Sequence, residues 1–261
     1  MKKSKLWQRQ LLAGAIFLTA TLMIIVNPGL SLADENKPDW EYGGSNNPTH
    51  WSELSSEFKS CELGSNQSPI NITTTQKGKA AAIEFDYHPS TVEVINNGHT
   101  IQANYEPGST VKIDGQVYDL LQFHFHTPSE HEIEGKSAAM ELHFVHKNKA
   151  GKLAVVGVMM DAGAENPLIA SVWDDIPTDN KAEKGNKITL DAAKLLPKDK
   201  TFVSYSGSLT TPPCSEQVSW NILSKPIEVS SEQIETFESI YSYNARPIQP
   251  LNGRSVELHE D

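Results

Sequence analysis

The sequence has few cysteines, fewer basic than acidic residues, and no hydrophobic run of the usual membrane-spanning length. Two cysteines in 261 residues are too few for a disulfide-rich scaffold or a cysteine zinc ribbon. Lys and Arg number 22 against 33 Asp and Glu, and this deficit excludes a typical nucleic-acid binder, because phosphate neutralisation needs basic clusters. With 38% hydrophobic residues, the chain is long enough to bury the core of one large domain.

Residues 1–33 are predicted to be a secretory signal peptide. Four basic residues precede an uncharged stretch at 11–26, and small residues at 31 and 33 suit signal peptidase. An uncleaved membrane anchor is the alternative, although this stretch is short for the hydrocarbon core. Cleavage after Ala33 would leave 18 basic and 33 acidic residues. Such a chain is repelled by anionic membranes, so no stable membrane insertion is expected after cleavage. Export would also place Cys61 and Cys214 in an oxidising compartment that allows them to pair.

Most of the remaining chain has the two-residue periodicity of β-strands. The predicted strands are 83–87, 91–95, 100–105, 110–113, 116–126, 138–146, 153–160, 202–205 and 217–227. Short helices and a polar loop near 178–187 are expected within 164–200, and a capping box at 230–233 predicts a helix to about residue 241. Residues 34–60 are predicted to be an irregular arm whose aromatic side chains dock on the body.

Strands outnumber helices, and no linker divides the body. The predicted fold is therefore a β-dominated mixed α/β class, with residues 34–261 forming a single domain. Short connections between the strands favour a large, twisted, mainly antiparallel central sheet of about ten strands, with short peripheral helices.

Two histidines share one face of the predicted strand 116–126. Side chains alternate between the faces of a strand, so Gln122, His124 and His126 point the same way. The opposite, apolar face receives Leu121, Phe123 and Phe125. Two imidazoles separated by one residue on a strand are close enough to converge on one ion.

The next predicted strand supplies a third histidine. Glu141, His143 and Val145 share a face, and only a short connection separates the two strands. Three nitrogen ligands leave a fourth tetrahedral position for water, which is typical of catalytic zinc sites. Copper and cobalt also bind nitrogen, so ligand type alone leaves the metal open. The simpler interpretation is a solvated polar strand face that binds no metal.

Neighbouring residues bear on the choice between these interpretations. A ligand imidazole needs an acceptor for its second N–H, and Gln122 and Glu141 lie on the right faces to accept it. His146 falls on the apolar face and is predicted to be a core histidine. His131 lies in a loop, where spacing alone leaves its role open.

Several short segments, in a fixed order over roughly residues 38–255, are specific when taken together. They are QSPINI at 67–72, NNGH at 96–99, QFHFH at 122–126, SEH at 129–131, AMELHFVH at 139–146, GSLTTPP at 207–213, NARP at 244–247 and QPL at 249–251. In this order they resemble the α-class carbonic anhydrases of the exported bacterial type.

The resemblance implies a carbonic anhydrase domain at residues 34–261, with Zn²⁺ on His124, His126 and His143. The implied activity is reversible hydration of carbon dioxide to bicarbonate and a proton, by attack of zinc-bound hydroxide. In carbonic anhydrases, zinc is known to lower the pKa of its bound water from 15.7 to about 7, so hydroxide exists at neutral pH.

Further roles follow from the resemblance alone. Thr210 is expected to accept a hydrogen bond from the hydroxide and to donate one to Glu130, and Thr211 is expected to contact bicarbonate. An apolar wall beside the hydroxide would receive carbon dioxide. The implied wall residues are Val145, Val155, Leu209 and Trp220. Without the resemblance, ordinary core packing is the simpler interpretation of these four.

A proton must leave the site in every turnover, and His99 resembles the family's proton shuttle. Histidine suits this task because its pKa lies near ambient pH. Tyr42 and Asn97 match residues that order the intervening water, whereas Gln102 stands where many relatives have Asn. The alternative for His99 is a surface residue that follows a turn.

The resemblance also implies a disulfide between Cys61 and Cys214, which would brace the loop that carries Thr210. It implies a periplasmic or secreted enzyme, monomeric or dimeric, that binds carbon dioxide and bicarbonate and is inhibited by sulfonamides and anions. Two other functions are the alternatives to this activity. An inactive binding or storage relative usually lacks a ligand histidine, and a zinc esterase would need an extended groove that the sequence does not show.

Overall fold

A twelve-stranded sheet dominates the computed structural model, which describes residues 38–78, 83–177 and 185–260. Its strands, together with those of a small two-stranded sheet, are β1 Asn71–Ile72, β2 Gln76–Lys77, β3 Ile83–Asp86, β4 Ser90–Asn96, β5 Ile101–Tyr105, β6 Thr110–Ile113, β7 Gln116–His126, β8 Glu132–Ile133, β9 Met140–Lys147, β10 Leu153–Ala162, β11 Asn186–Leu190, β12 Phe202–Ser208, β13 Glu216–Val229 and β14 Glu257–His259. The helices are α1 Trp51–Leu54, α2 Ser60–Leu63, α3 Pro167–Trp173 and α4 Ser231–Glu238, with 3-10 turns at Gly44–Asn46, Ser56–Phe58 and Ala192–Leu195.

The large sheet is mainly antiparallel, as predicted. Its main path runs β11-β4-β5-β7-β9-β10-β13-β12-β14-β2, with β6 pairing β7 and β3 pairing β6. Within the described part of the chain, the parallel pairs of this sheet are β10 with β13 and β14 with β2. The predicted β-dominated fold with short peripheral helices is confirmed. The sheet exceeds the expected ten strands because edge strands such as β2 and β14 are too short to show a periodicity.

The departures from the predicted elements include an additional strand, β11, and an early end to α4. Strand β11 pairs with β4 at the sheet edge, in a region where short helices were expected. Helix α4 ends at Glu238 rather than near residue 241, although its predicted capping box is present: Ser230 Oγ accepts from Gln233 N–H, and Gln233 returns the bond. The polar loop predicted near 178–187 lies largely outside the described residues.

A bulge in β7 changes one predicted side-chain direction. Phe123 and Phe125 are fully buried in the main core, as their alternation predicted. Leu121 was expected beside them but is 41% exposed. The pairing of β7 with β9 shifts register between Leu120 and Gln122, so one extra residue reverses the alternation at that point. The prediction for Leu121 was wrong, because a bulge leaves no mark in the hydrophobic pattern.

The N-terminal arm docks on the body through its aromatic residues, as predicted. Trp51 is fully buried and packs with Phe58 and the Cys61–Cys214 disulfide. Trp40 stacks on the ring of His99, with the centroids 3.6 Å apart and the planes 7° from parallel. The arm therefore covers one side of the turn between β4 and β5.

His146 is a core histidine, as predicted. It is fully buried on β9, accepts a 2.6 Å hydrogen bond from the Tyr87 hydroxyl at Nε2, and donates from Nδ1 to the Ala154 carbonyl. Burial lowers its pKa from 6.5 to about 3, partly offset by its hydrogen bonds to main-chain carbonyls. The imidazole is therefore neutral in the folded protein at any pH near neutrality.

This pKa predicts a specific loss of stability in acid. Because the folded pKa lies below the unfolded value, the contribution is fully present above pH 6.5 and declines as the pH falls towards 3. Between pH 6.5 and 4.5, the free energy of unfolding should fall by about 2 kcal/mol more than in His146→Gln. Urea titrations across this pH range measure the difference. The exposed His88 provides the control variant His88→Gln, and a wild-type slope equal to that of His146→Gln would contradict the prediction.

The predicted signal peptide, residues 1–33, lies outside the described residues, and so does its cleavage site. In the ranges that are described, no helix has the length and hydropathy needed to cross a bilayer.

Candidate metal centre

Three imidazoles from β7 and β9 converge at the middle of the large sheet. His124 pairs directly with His143 across the two strands, and His126 follows on the same face of β7. The ring centroids are 5.1 Å apart for His124 and His126, 5.3 Å for His124 and His143, and 4.6 Å for His126 and His143. One ring nitrogen from each residue lies within 4.8 Å of the others, a spacing compatible with a shared metal ion.

Each imidazole of this trio donates one N–H to a fixed acceptor. His124 Nδ1 donates to Gln122 Oε1 at 2.8 Å, His143 Nε2 to Glu141 Oε1 at 2.8 Å, and His126 Nδ1 to the Asn244 carbonyl at 2.7 Å. These bonds select the tautomer and leave one unprotonated nitrogen per ring. Gln122 and Glu141 thus stand where sequence alternation predicted an acceptor.

One of the three remaining ring nitrogens has no hydrogen-bond partner among the described residues. This nitrogen is His126 Nε2, which is buried. A buried, unpartnered polar atom is costly unless something binds it. A metal ion would satisfy this nitrogen together with the other two, so the donor set fits a divalent cation.

The charges around the trio favour unprotonated His124 and His126. Burial, followed by the imidazoles of His126 and His143, holds the pKa of His124 well below its usual value. Burial also lowers the pKa of His126, against the opposing effect of Glu130. For His143, burial opposes protonation, but the Glu141 carboxylate outweighs it and raises the pKa. Protonation therefore competes with metal binding most strongly at His143, which lies beside the Glu141 carboxylate.

A second possible metal group, His131 with Glu141 and His143, is already hydrogen-bonded internally. His131 Nδ1 donates to Glu141 Oε1 at 2.8 Å, and its Nε2 accepts from the Tyr205 hydroxyl at 2.6 Å. Burial by itself would raise the pKa of Glu141. The neighbouring His131 and His143 outweigh burial and hold this pKa well below its usual value. With both ring nitrogens occupied, His131 supports Glu141 rather than offering a ligand atom.

Glu130 lies beside the trio. Its Oε1 accepts from the Arg246 main-chain N–H at 2.9 Å, and its Oε2 lies 3.5 Å from His126 Nε2. Among the described residues, nothing donates a hydrogen bond to Oε2. The hydrogen bond expected from Thr210 is therefore not formed at Glu130 Oε2. Thr210 itself is buried in the loop that follows β12.

Three residues of the predicted apolar wall lie side by side on the neighbouring strands β9, β10 and β13. Val145 pairs with Val155, and Val155 pairs with Trp220. The Trp220 ring is 4.8 Å from the His143 ring and is held by a hydrogen bond from its Nε1 to the Ser208 carbonyl. Leu209 packs against the same apolar cluster. All four side chains belong to one apolar cluster, and Trp220 brings this cluster against the trio.

The region around His99 contains the other predicted residues. Asn97 Oδ1 accepts from the main-chain N–H groups of His99 and Thr100, and Asn97 Nδ2 donates to Gln102 Oε1 at 3.3 Å. Burial, and next the Glu130 carboxylate, raise the pKa of Tyr42, which places this hydroxyl in electrostatic range of the site.

A family model described as eukaryotic-type carbonic anhydrase matches residues 46–260. The chain belongs to the α-carbonic anhydrase family. The predicted enzyme class, carbonic anhydrase, is confirmed by this match and by curated relatives of the same name.

This chain is similar to curated relatives and to a solved structure over most of their lengths. A carbonic anhydrase from Nostoc sp. is 42% identical over 97% of this chain and 98% of its own. One from Neisseria gonorrhoeae is 44% identical over 92% and 95%. The α-carbonic anhydrase of Thermovibrio ammonificans, solved with the inhibitor sulfanilamide, has a TM-score of 0.81 at 42% identity and covers 85% of this chain and 99% of its own.

Sequence reasoning assigned no role to Asn244 or Arg246 of this carbonic anhydrase. Asn244 supplies the acceptor for His126, and Arg246 is buried, donating to Gln67 Oε1 and to the carbonyls of Ser68 and Cys61. Both lie in the NARP segment, more than 100 residues from β7. The sequence signal for these two residues is that the NARP segment belongs to the family resemblance.

Proposed function

We propose that the chain hydrates carbon dioxide at a zinc ion held by His124, His126 and His143. The observation that carries this proposal is the convergence of three imidazole nitrogens, each on a ring already oriented by a hydrogen bond. Neutral nitrogen ligands suit Zn²⁺ and leave a tetrahedral position for water. A bound zinc would supply hydroxide at neutral pH, a property established for carbonic anhydrases.

The surrounding residues have separate tasks. The wall of Val145, Val155, Leu209 and Trp220 offers an apolar surface to carbon dioxide, which carries no charge and needs little binding energy. Thr210 accepts a hydrogen bond from the attacking oxygen, which orients that oxygen, and donates its own hydrogen bond to Glu130, whose unpartnered Oε2 is available to accept it. Thr211, beside it in the same loop, contacts bicarbonate.

Proton release is a second, separate step, and we assign it to His99. The side chain is partly exposed and lies against Trp40, so it can exchange protons with solvent. Asn97 and Tyr42 are assigned to order the intervening water, and Gln102 accepts a hydrogen bond from Asn97 beside them. Because this step follows the loss of bicarbonate, it limits kcat without affecting kcat/KM.

The proposal extends to inhibitors and location. Sulfonamides and anions are expected at the same three-histidine site, in line with the sulfanilamide complex of the Thermovibrio enzyme. Residues 1–33 are expected to direct export to the periplasm or beyond, and a monomer or dimer is expected.

A stopped-flow assay tests the proposed function. The zinc-loaded protein should hydrate carbon dioxide far faster than it hydrolyses a small activated ester, and sulfanilamide should inhibit both reactions. Ester hydrolysis that dominates, or the absence of both activities in a zinc-loaded folded protein, would contradict it.

Replacing His99 by alanine should slow turnover in weak buffer. We expect kcat to fall about tenfold or more, because general acid–base groups contribute at least that much. Added imidazole buffer should restore kcat, since it replaces the missing proton acceptor, while kcat/KM stays near the wild-type value. The exposed His88 gives the control variant His88→Ala. An unchanged dependence on buffer would exclude His99 as the shuttle.

A further inference from the structure

Asn244 is a fully buried residue that is fastened to the strand of the metal-binding histidines. Its main-chain N–H donates to the Thr127 carbonyl at 3.0 Å, and its carbonyl accepts from His126 Nδ1 at 2.7 Å. Its side-chain Oδ1 accepts from the Thr127 N–H at 2.7 Å. Three of its polar groups are thus bound to residues 126 and 127.

The remaining polar group of Asn244 reaches the turn that carries His99. Its Nδ2 has two hydrogens, and it donates to the carbonyl of Phe125 at 2.9 Å and to the carbonyl of His99 at 3.1 Å. The other contacts already hold Asn244 in place. The bond from Asn244 Nδ2 to the His99 carbonyl therefore restricts the position of the turn that carries His99.

The shuttle turn, residues 96–100, has further anchors, and the one at Thr100 also reaches β7. Asn97 Oδ1 closes the turn on itself, and Thr100 Oγ1 donates to the Phe125 carbonyl at 2.5 Å. The Tyr241 hydroxyl donates to Asn96 Oδ1. Trp40 contacts the His99 ring. Asn244 instead fixes the main chain of His99 relative to the main chain of residues 125–127.

We propose that Asn244 is a positioning residue for proton transfer. Alongside the contact of Thr100 with Phe125, this buried amide fixes the main chain of His99 itself relative to β7, and so the length of the water path from the metal-binding trio to His99. Transfer through water depends on that separation, because small misplacements of a reacting group are costly in rate. The inference rests on the proposed shuttle role of His99.

Asn244→Ala separates this role from metal binding, because the acceptor for His126 is the main-chain carbonyl, which alanine retains. We expect kcat in weak buffer to fall about tenfold, while kcat/KM for carbon dioxide falls less than about twofold and the zinc content stays near one per chain. A parallel fall in kcat and kcat/KM, or loss of zinc, would show that Asn244 only supports the metal centre and would overturn the proposal.

A double-mutant cycle with His99→Ala tests whether Asn244 acts through His99. In the His99→Ala background, Asn244→Ala should lower kcat no further. Additive losses would overturn the proposal. If His99→Ala leaves kcat unchanged while carbon dioxide is still hydrated at zinc, the shuttle assignment and this inference both fail, but the proposed hydration activity stands.

One further variant controls for a general loss of stability, and a second replaces Asn244→Ala if that protein does not fold. Tyr105→Phe removes a buried hydroxyl that donates to the His88 carbonyl at 3.0 Å, far along β5 from the shuttle turn, and should lower the melting temperature without changing kcat. A fall in kcat with this variant equal to that with Asn244→Ala would overturn the proposal. If Asn244→Ala does not fold, Asn244→Ser, which keeps a short polar group near Thr127, is measured against the same expectations.

Discussion

His143→Ala is expected to lose both zinc and carbon dioxide hydration. His143 supplies one of three nitrogens, and two remaining ligands on a single strand cannot hold zinc in a tetrahedral site. Removing a hydrogen-bond partner of a ligand already costs about 10–100-fold in metal affinity or activity, so removing a ligand should cost at least about 100-fold. Elemental analysis and stopped-flow hydration measure the two losses.

The control variant changes a histidine outside the trio. His88→Ala removes an exposed histidine and should keep full zinc and activity. The loss of His143 also leaves Glu141 with one fewer partner, so the melting temperature must be measured to show that the variant folds. A folded His143→Ala protein that retains one zinc per chain and wild-type turnover would contradict the assignment.

Removing the disulfide is expected to have the largest effect on stability. The bond closes a loop of 153 residues, and the entropy of that loop in the unfolded chain corresponds to about 5 kcal/mol. For a domain of this size, such a loss lowers the melting temperature by about 10–20 °C. The double variant Cys61→Ser with Cys214→Ser, and the reduced wild type, should both show it.

The same change is expected to slow catalysis. Gln67 Nε2 donates to the Cys214 carbonyl, and Arg246 donates both to the Cys61 carbonyl and, from its main chain, to Glu130. The loop of Thr210 and Thr211 is closed by the Cys214 N–H donating to the Thr211 carbonyl at 2.8 Å. The disulfide thus joins the two segments that hold Thr210 and Glu130. Equal melting temperature and turnover for oxidised and reduced protein would contradict this coupling.

Strand alternation was enough to predict the centre of the site. It placed His124 and His126 on one face of β7, and the short connection to β9 brought His143 opposite them. The disulfide followed from the resemblance, and with two cysteines in the sequence there was one possible internal pair. These features depend on local periodicity or on a small number of choices.

Other features depend on distant residues and could not be predicted in this way. Asn244 reaches His126 across 118 positions, and no periodicity links them. The bulge that turns Leu121 outwards is a property of the pairing with β9, not of the β7 sequence. Strand β11 has five residues, follows a polar region and is defined by its pairing with β4, so too little local pattern was available to predict it.

The central claim is that three imidazoles bind one catalytic zinc ion. The most direct test measures zinc per chain and carbon dioxide hydration on the same purified sample, before and after chelation and after zinc is restored. The account predicts about one zinc per chain, loss of hydration on its removal, and recovery with added zinc. A folded, zinc-free protein that hydrates carbon dioxide at the undiminished rate would contradict it.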